Sequence, residues 1–324
     1  MRLLVNNNIL NISINEKVDY NIASSYHRII PTCKITSFEL LQLDFSETTF
    51  VTLAGSMYLI FIVHGIVNAK KSQGTRIETV IINCPEQVVS TLLNFGFFKM
   101  LGLYGSLRTN PDFIKTSDET IDFWKKNVKN LDINLRSLYW PISNIPFKHG
   151  INFELEVRSF YNDFIIFFNS VISLGFIKGL NKEGLDFIER FFYKAINEST
   201  KNVWDHSESW GIASIQSNRS IKTTFCLFDF GVGFINSYIK RKGGFQRSTQ
   251  ADKNVLMWLF EEGNTSNQGA NHGHGLSILQ KFTDMSNGVL LINTDQYSIQ
   301  YTKMKGLRIN EKLFFPGTQI MINF

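Results

Sequence analysis

Along the chain the spacing of apolar residues changes period several times, and each change predicts an element. The opening "RLLVNNNILNISIN" alternates apolar and polar residues on both sides of an asparagine run, which predicts two short strands around a turn. "FELLQLDFSE" (38–47) has strand alternation, and "GSMYLIFIVHGIVNAKKSQG" (55–74) has helical length, a basic last turn and a glycine stop. "IETVIIN" (77–83) is a compact β-branched strand, and "PEQVVSTLLNFGF" (85–97) opens a helix on proline. Strands joined by helices of this length imply parallel pairing, so residues 1–103 read as an α/β domain.

Residues 104–153 are less regular, a structured connector with one helix predicted near Asp118–Asn130 and with proline-bearing interruptions such as "YWPISNIPF". Two helices follow, predicted over 154–178 and 184–206, then strands over 210–218 and 221–230 whose short junction predicts an antiparallel hairpin. After a polar glycine-bearing stretch come a helix opened by "GHGLSILQKFTDM" and strands at 288–295, 297–304 and 318–324. Helices first and strands afterwards describe an α+β sandwich over 154–324, with helices on one face of a mixed sheet.

Composition narrows the function classes. At 44% hydrophobic and 14% aromatic the chain can fill packed cores, and its net charge of +5 is spread out, which does not favour a nucleic-acid partner. Cys33, Cys84 and Cys226 are scattered and odd in number, with no disulfide or zinc spacing, as expected in a reducing cytoplasm. Residues 54–67 are too short to span a bilayer and residues 160–180 carry Asn162, Asp163 and Asn169, so no membrane association is expected. The first residues lack the pattern of a signal peptide.

Three segments carry candidate chemistry. In "INESTKNVWDHS" the residues Glu198, Asn202 and His206 fall one helical turn apart and form a polar stripe opposite Ile188, Phe191, Phe192, Ala195, Ile196 and Val203; the stripe is either a solvated face or a chemical one. In "FDFGVGF" Asp229 ends an apolar strand and Gly231 and Gly233 follow, either a plain exit into a turn or a carboxylate that accepts from an exocyclic amine beside backbone open to a flat ring. In "GANHGHGLSIL" Gly269, Gly273 and Gly275 feed a helix N-terminus, an arrangement that suits an anion. His272 and His274 have no third ligand at metal spacing, and Lys240, Arg241, Lys242 and Arg247 form a basic run that is either solvated or turned to phosphate.

The order of these segments, closed by Gly317 and Thr318 on the last strand, resembles the GHKL superfamily of ATP-binding domains (Bergerat-type fold), shared by gyrase, MutL, the large heat-shock chaperones and histidine kinases. The resemblance covers 154–324 and implies ATP and Mg²⁺ as cofactors. It implies Glu198 as general base on water, with a water-mediated contact to the metal, and Asn202 as the Mg²⁺ ligand; it also implies Asp229 as reader of the adenine amine, Gly231 and Gly233 as the base pocket, Thr318 as its support, and Gly269, Gly273, His274, Gly275 and Leu276 as phosphate and lid contacts. Residues 1–103 are similar to the STAS domain of anti-sigma-factor antagonists, whose Asp-Ser-Ser-Gly turn corresponds here to Thr52, Leu53, Ala54 and Gly55, with Ala54 where the phosphoacceptor serine stands.

Three functions are compatible with these resemblances. One is a slow ATPase whose lid or dimer switch regulates a protein partner, one a serine/threonine protein kinase of the anti-sigma type, and one a non-hydrolysing ATP sensor that works as an interaction module. In each, the STAS-like half is expected to bind the protein partner, and a homodimer is expected through an apolar helix such as 160–176.

Overall fold

The computed structural model describes residues 1–102, 137–146, 153–173, 175, 177, 182–204, 209–218, 222–243, 246–261 and 275–324. Two compact units divide the chain, Met1–Asp132 with Pro141–Ser143, and Ile133–Trp140 with Asn144–Phe324. Both α/β character and a mixed sheet are present, as the alternation of elements predicts.

In the first unit β1 (Arg2–Asn6) and β2 (Ile9–Ser13) pair antiparallel, and the turn between them has Asn7 and Asn8 at φ 47° and 64°. Asparagine tolerates the left-handed region, and two such residues in a row match the twist of a hairpin. The short β3 (Lys17–Val18) follows, then α1 (Tyr26–Ile35), β4 (Leu40–Asp44), the short β5 (Phe50–Val51), α2 (Leu53–Lys71), β6 (Glu78–Ile82), α3 (Glu86–Asn94) and α4 (Phe97–Gly102). The sheet order is β1-β2-β4-β6, and β2, β4 and β6 run parallel as expected.

Helix α2 is long and apolar enough to cross a membrane, yet 72% of its apolar window is buried within the fold, the position of a core helix. Its start carries Thr52, Leu53, Ala54 and Gly55. The Thr52 hydroxyl accepts from the Gly55 amide at 3.0 Å, and a side chain at Gly55 would stand 2.2 Å from the Val18 carbonyl oxygen. Position 54 carries no hydroxyl, and the neighbouring Ser56 is buried and donates to the Thr52 carbonyl. Helix α1 lies in a stretch where the sequence predicts no element, and it carries Pro31 inside it.

The second unit contains β7 (Ser137–Ile145, apart from Pro141–Ser143), α5 (Phe153–Ser173), α6 (Lys182–Asn202), β8 (Gly211–Asn218), β9 (Thr223–Asp229), α7 (Phe234–Lys242), α8 (Thr249–Phe260), α9 (Gly275–Met285), β10 (Val289–Thr302) and β11 (Gly306–Asn323). The sheet runs β10-β11-β9-β8-β7, and the pairs β8–β9, β9–β11 and β10–β11 are antiparallel.

Three expectations are corrected. The strands predicted at 288–295 and 297–304 are one strand, β10, with a bulge at Asp295, whose φ of 51° bends the chain without ending the ladder. Strand β11 begins at Gly306 rather than Thr318. The stretch 249–260, expected as polar lead-in, is α8, capped by the Ser248 side chain accepting from the Ala251 amide.

The core of this unit is aromatic. Phe192 of α6 is fully buried and its ring lies 4.1 Å from Phe168, 5.2 Å from Phe282, 5.3 Å from Phe324, 5.5 Å from Phe164 and 5.7 Å from Phe225, centroid to centroid. Rings at these separations add packing energy beyond the area they bury. Helix α5 turns Phe160, Phe164, Phe167 and Phe168 into this interior, so the apolar face expected to make a dimer is used for the core.

Candidate functional site

Two residues of the expected polar stripe, Glu198 and Asn202, are partly covered rather than fully solvated. Glu198 is only 21% exposed and Asn202 is half-buried, while Val203 beside them is in the core. The helix is held at this height by Phe192, whose contacts with Phe225 on β9 and Phe282 on α9 fix α6 over the sheet and beside α9. As a result the first residue of α9, Gly275, meets the stripe. A Cβ there would lie 3.1 Å from Asn202 Nδ2 and 3.8 Å from Glu198 Cβ, so only a glycine lets the start of α9 come this close without a shift.

Asp229 stands at the end of β9, 6% exposed. Its Oδ1 accepts from the Gly231 amide at 2.9 Å. Burial pushes its carboxyl up from 3.8 to about 6; the Gly231 amide and the amide and hydroxyl of Thr318 pull it back, and Asp295 adds a small upward push. Beside it, Gly317 of β11 has φ 74°, and a Cβ on it would fall 2.1 Å from the Asp229 carbonyl oxygen.

Asn202, Asp229, Gly233 and Thr318 line one cavity together with Ser199 and Phe234. Its volume is about 10 Å³, room for roughly one water molecule. The Ser199 hydroxyl is buried and makes no hydrogen bond among the described residues. Buried polar atoms are rarely left unpaired, and the Ser199 hydroxyl faces a small, mostly apolar cavity large enough for a single polar partner such as a water.

Of the residues singled out by sequence, the fold thus gathers Asn202, Asp229, Gly233 and Thr318 at one cavity, with Glu198 and Gly275 next to Asn202 and Gly231 bonded to Asp229. Leu276 is buried at 7% exposure and contributes apolar packing. Gly269, Gly273, His274, His272 and His206 lie outside the described residues. Lys240, Arg241 and Lys242 form the last turn of α7, where cations suit the helix dipole, and Arg247 is committed to Asp252 at 2.8 Å.

Two site residues gave no signal in the sequence reading. Ser199 sits one position round the helix from the expected stripe. Asp295 appears in sequence as a strand end, yet it is 1% exposed and accepts from the Ile235 amide and from Asn236 Nδ2, each at 2.9 Å. Burial raises its carboxyl, with the Ile235 amide, the Thr294 hydroxyl and Arg247 pulling it down. No cluster of three or more His, Cys, Asp or Glu that would hold a metal occurs among the described residues. An oxygen-seeking cation that keeps most of its own waters needs only one or two protein ligands, and Asn202, pressed against the start of α9, offers an amide side chain for one.

The buried Asp229 has a consequence for stability. An unfolded carboxyl ionises near 3.8, whereas the folded one keeps its proton until about 6. Below the lower value both states are protonated and nothing is lost; as pH rises through the interval the unfolded chain gains charge first and the fold is weakened, up to roughly 3 kcal/mol above pH 6. Denaturation at pH 4 and pH 7 is expected to show a stability change between the two pH values that is smaller by about 2–3 kcal/mol in Asp229→Asn than in wild type. Parallel pH curves for the two proteins would refute it.

No family model matches the chain, and no curated protein sequence matches it.

Proposed function

We propose that the second unit is a GHKL-type domain that binds ATP with Mg²⁺ and hydrolyses it slowly, using occupancy of the site as a conformational switch on a protein partner. The observation that carries this reading is the convergence of Asn202, Asp229 with Gly233, and Thr318, drawn from three segments, on one small cavity with an orphan hydroxyl in its wall. Asp229 reads an exocyclic amine, since the carboxylate has more acceptor positions than the Gly231 amide and the Thr318 amide and hydroxyl fill. Thr318 supports it from β11. Asn202 would hold the metal, which would supply charge neutralisation at the phosphates, and Glu198 would orient a water. The cavity is smaller than a purine, so binding requires α6 or the Gly231–Gly233 loop to move outward. The first unit, a STAS-like scaffold without the phosphoacceptor hydroxyl, contacts the partner.

A second reading has its own support. Lys201 Nζ donates to Glu198 Oε1 at 3.3 Å, and a carboxylate oxygen engaged by an ammonium group is not available to orient a water, which favours a sensor that binds without turnover.

Calorimetry with ATP and Mg²⁺ tests binding, and ADP release separates the two readings. Wild type is expected to bind, Asp229→Asn to bind about 10- to 100-fold more weakly, and Glu198→Ala to bind within about threefold of wild type while releasing no ADP. No heat from wild type would refute the nucleotide reading; binding without ADP release from wild type would leave the sensor.

A further inference from the structure

The glycine loop that follows Asp229 is held partly from within, by the Gly231 amide on Asp229 and by Asn236 Nδ2 on the Val232 carbonyl oxygen at 3.0 Å, and partly from outside. Its position is fixed from β10, sixty residues away in sequence, by the bulge at Asp295. Gly233 has φ 79°, and a Cβ on it would meet the Asp295 carboxylate at 2.8 Å, so the loop lies directly against that side chain. The two leading amides of α7 are both received by β10: Phe234 N–H donates to the Thr294 hydroxyl at 2.9 Å and Ile235 N–H to Asp295 Oδ2 at 2.9 Å. Helix N-termini carry unsatisfied donors and favour a negative charge, and here both needs are met by a buried acid on a neighbouring strand.

The anchoring continues outward through side chains. Asn236 Nδ2 donates to Asp295 Oδ1 at 2.9 Å, and its own Oδ1 accepts from Arg247 Nη1 at 3.2 Å. Arg247 gives two further bonds to Asp252 Oδ2, at 2.8 and 3.3 Å, and Asp252, on α8, also accepts from the Tyr297 hydroxyl at 3.1 Å. Tyr297 returns the chain of bonds to β10, two residues beyond Asp295. The circuit closes on the strand where it began and ties α7 and α8 to it.

We propose that Asp295 is a positioning residue for ligand binding, its carboxylate setting the Gly231–Gly233 loop and the start of α7 against the cavity, with Asn236 and Arg247 locking it to α8. The proposal rests on the nucleotide reading of the Asp229 cavity. Asp295 touches no ligand itself; it acts through Gly233 and Phe234, two residues of the cavity wall.

The circuit has a property that separates positioning from general packing. Asp295 and Asn236 meet as acceptor and donor, so their identities can be exchanged, at the cost of the bond that Asn236 Nδ2 also gives the Val232 carbonyl oxygen at 3.0 Å. In Asp295→Asn the amide at position 295 has one oxygen for two donors and must turn its NH₂ toward either Ile235 N–H or Asn236 Nδ2. Asparagine tolerates the left-handed backbone there, so the change leaves the bulge unstrained. In the double variant Asp295→Asn/Asn236→Asp, the new amide oxygen on β10 still accepts from Ile235 N–H and the new NH₂ donates to the carboxylate introduced on α7. Arg247 then faces that carboxylate directly.

The test measures ATP–Mg²⁺ affinity by calorimetry on the full chain for wild type, both single variants and the exchanged double variant, with thermal unfolding alongside. Each single variant is expected to bind about tenfold more weakly or worse, and the double variant to recover most of the loss, a coupling of the size neighbouring hydrogen-bonded residues show. If a single variant unfolds, recovery of both fold and affinity in the double variant still supports the role. Wild-type affinity in Asp295→Asn, or a double variant as weak as the singles, would overturn it while the nucleotide reading stands. No binding by wild type would overturn the nucleotide reading and this role with it.

Discussion

Gly317→Ala is expected to cost about 3–5 kcal/mol and to abolish ligand binding. Two separate effects add at this position. The backbone sits at φ 74°, where a side chain costs about 1–2 kcal/mol, and the new methyl would be placed 2.1 Å from the Asp229 carbonyl oxygen and 2.8 Å from its carbon. The obstacle is backbone, which cannot rotate away as a side-chain end could. Relief requires β11 to draw back from the end of β9, which moves Thr318 and Asp229 apart and dissolves the site those two residues define. Gly306→Ala is the comparison: its φ is 64° but nothing lies within 4 Å of the added carbon, so only the backbone penalty of about 1 kcal/mol is expected. Chemical denaturation of the two variants checks the difference, and equal costs would show that the approach of Gly317 to Asp229 is looser than 2.1 Å.

Phe192→Ala is expected to cost about 3–5 kcal/mol, a large part of what holds a domain of this size together. Five rings meet this one side chain, from α5, β9, α9 and the last residue, Phe324. Truncation therefore leaves a cavity that no single neighbour can refill, whereas Phe192→Leu keeps most of the volume and is expected to cost under about 2 kcal/mol. Met304→Ala, at 91% exposure, is expected to change stability by less than about 0.5 kcal/mol. Tryptophan fluorescence follows the unfolding, because Trp140 packs edge-on against Phe160 and Phe164 in the same core. A loss below about 1 kcal/mol in Phe192→Ala would contradict the cluster.

What could be read from the sequence was what short-range chemistry controls. Asn7 and Asn8 announce their hairpin because the turn needs two residues that accept positive φ, and the parallel order of the first sheet follows from the length of α2 between its strands. The same locality explains the failures. Pro31 suggests a break, yet α1 continues through it, packed on α2 with Tyr26 against Phe61. Asp295 looks like the end of a strand because its partners, the amides of α7, are sixty residues away. Helix α8 did carry a signal, Ser248 at the N-cap before Ala251, which the surrounding charged residues hid. At the site, the spacing of Glu198, Asn202, Asp229 and Thr318 was legible as a series, while the roles of Gly233 and Ser199 depend on what stands opposite them in space. Gly233 is glycine because Asp295 occupies the room a side chain would need.

Strand β11 lies in the interior of its sheet, between β10 and β9, although it follows both in sequence. During synthesis β8 and β9 can pair as soon as they emerge, but β10 must wait beside an open edge until β11 arrives to join the two halves. Assembly of the sheet is thus a late, long-range closure, and the nascent chain passes through a stage with exposed ladder groups that invite pairing with another chain. Expression at lower temperature, or with holdase chaperones in excess, is therefore the condition under which soluble yield should rise most.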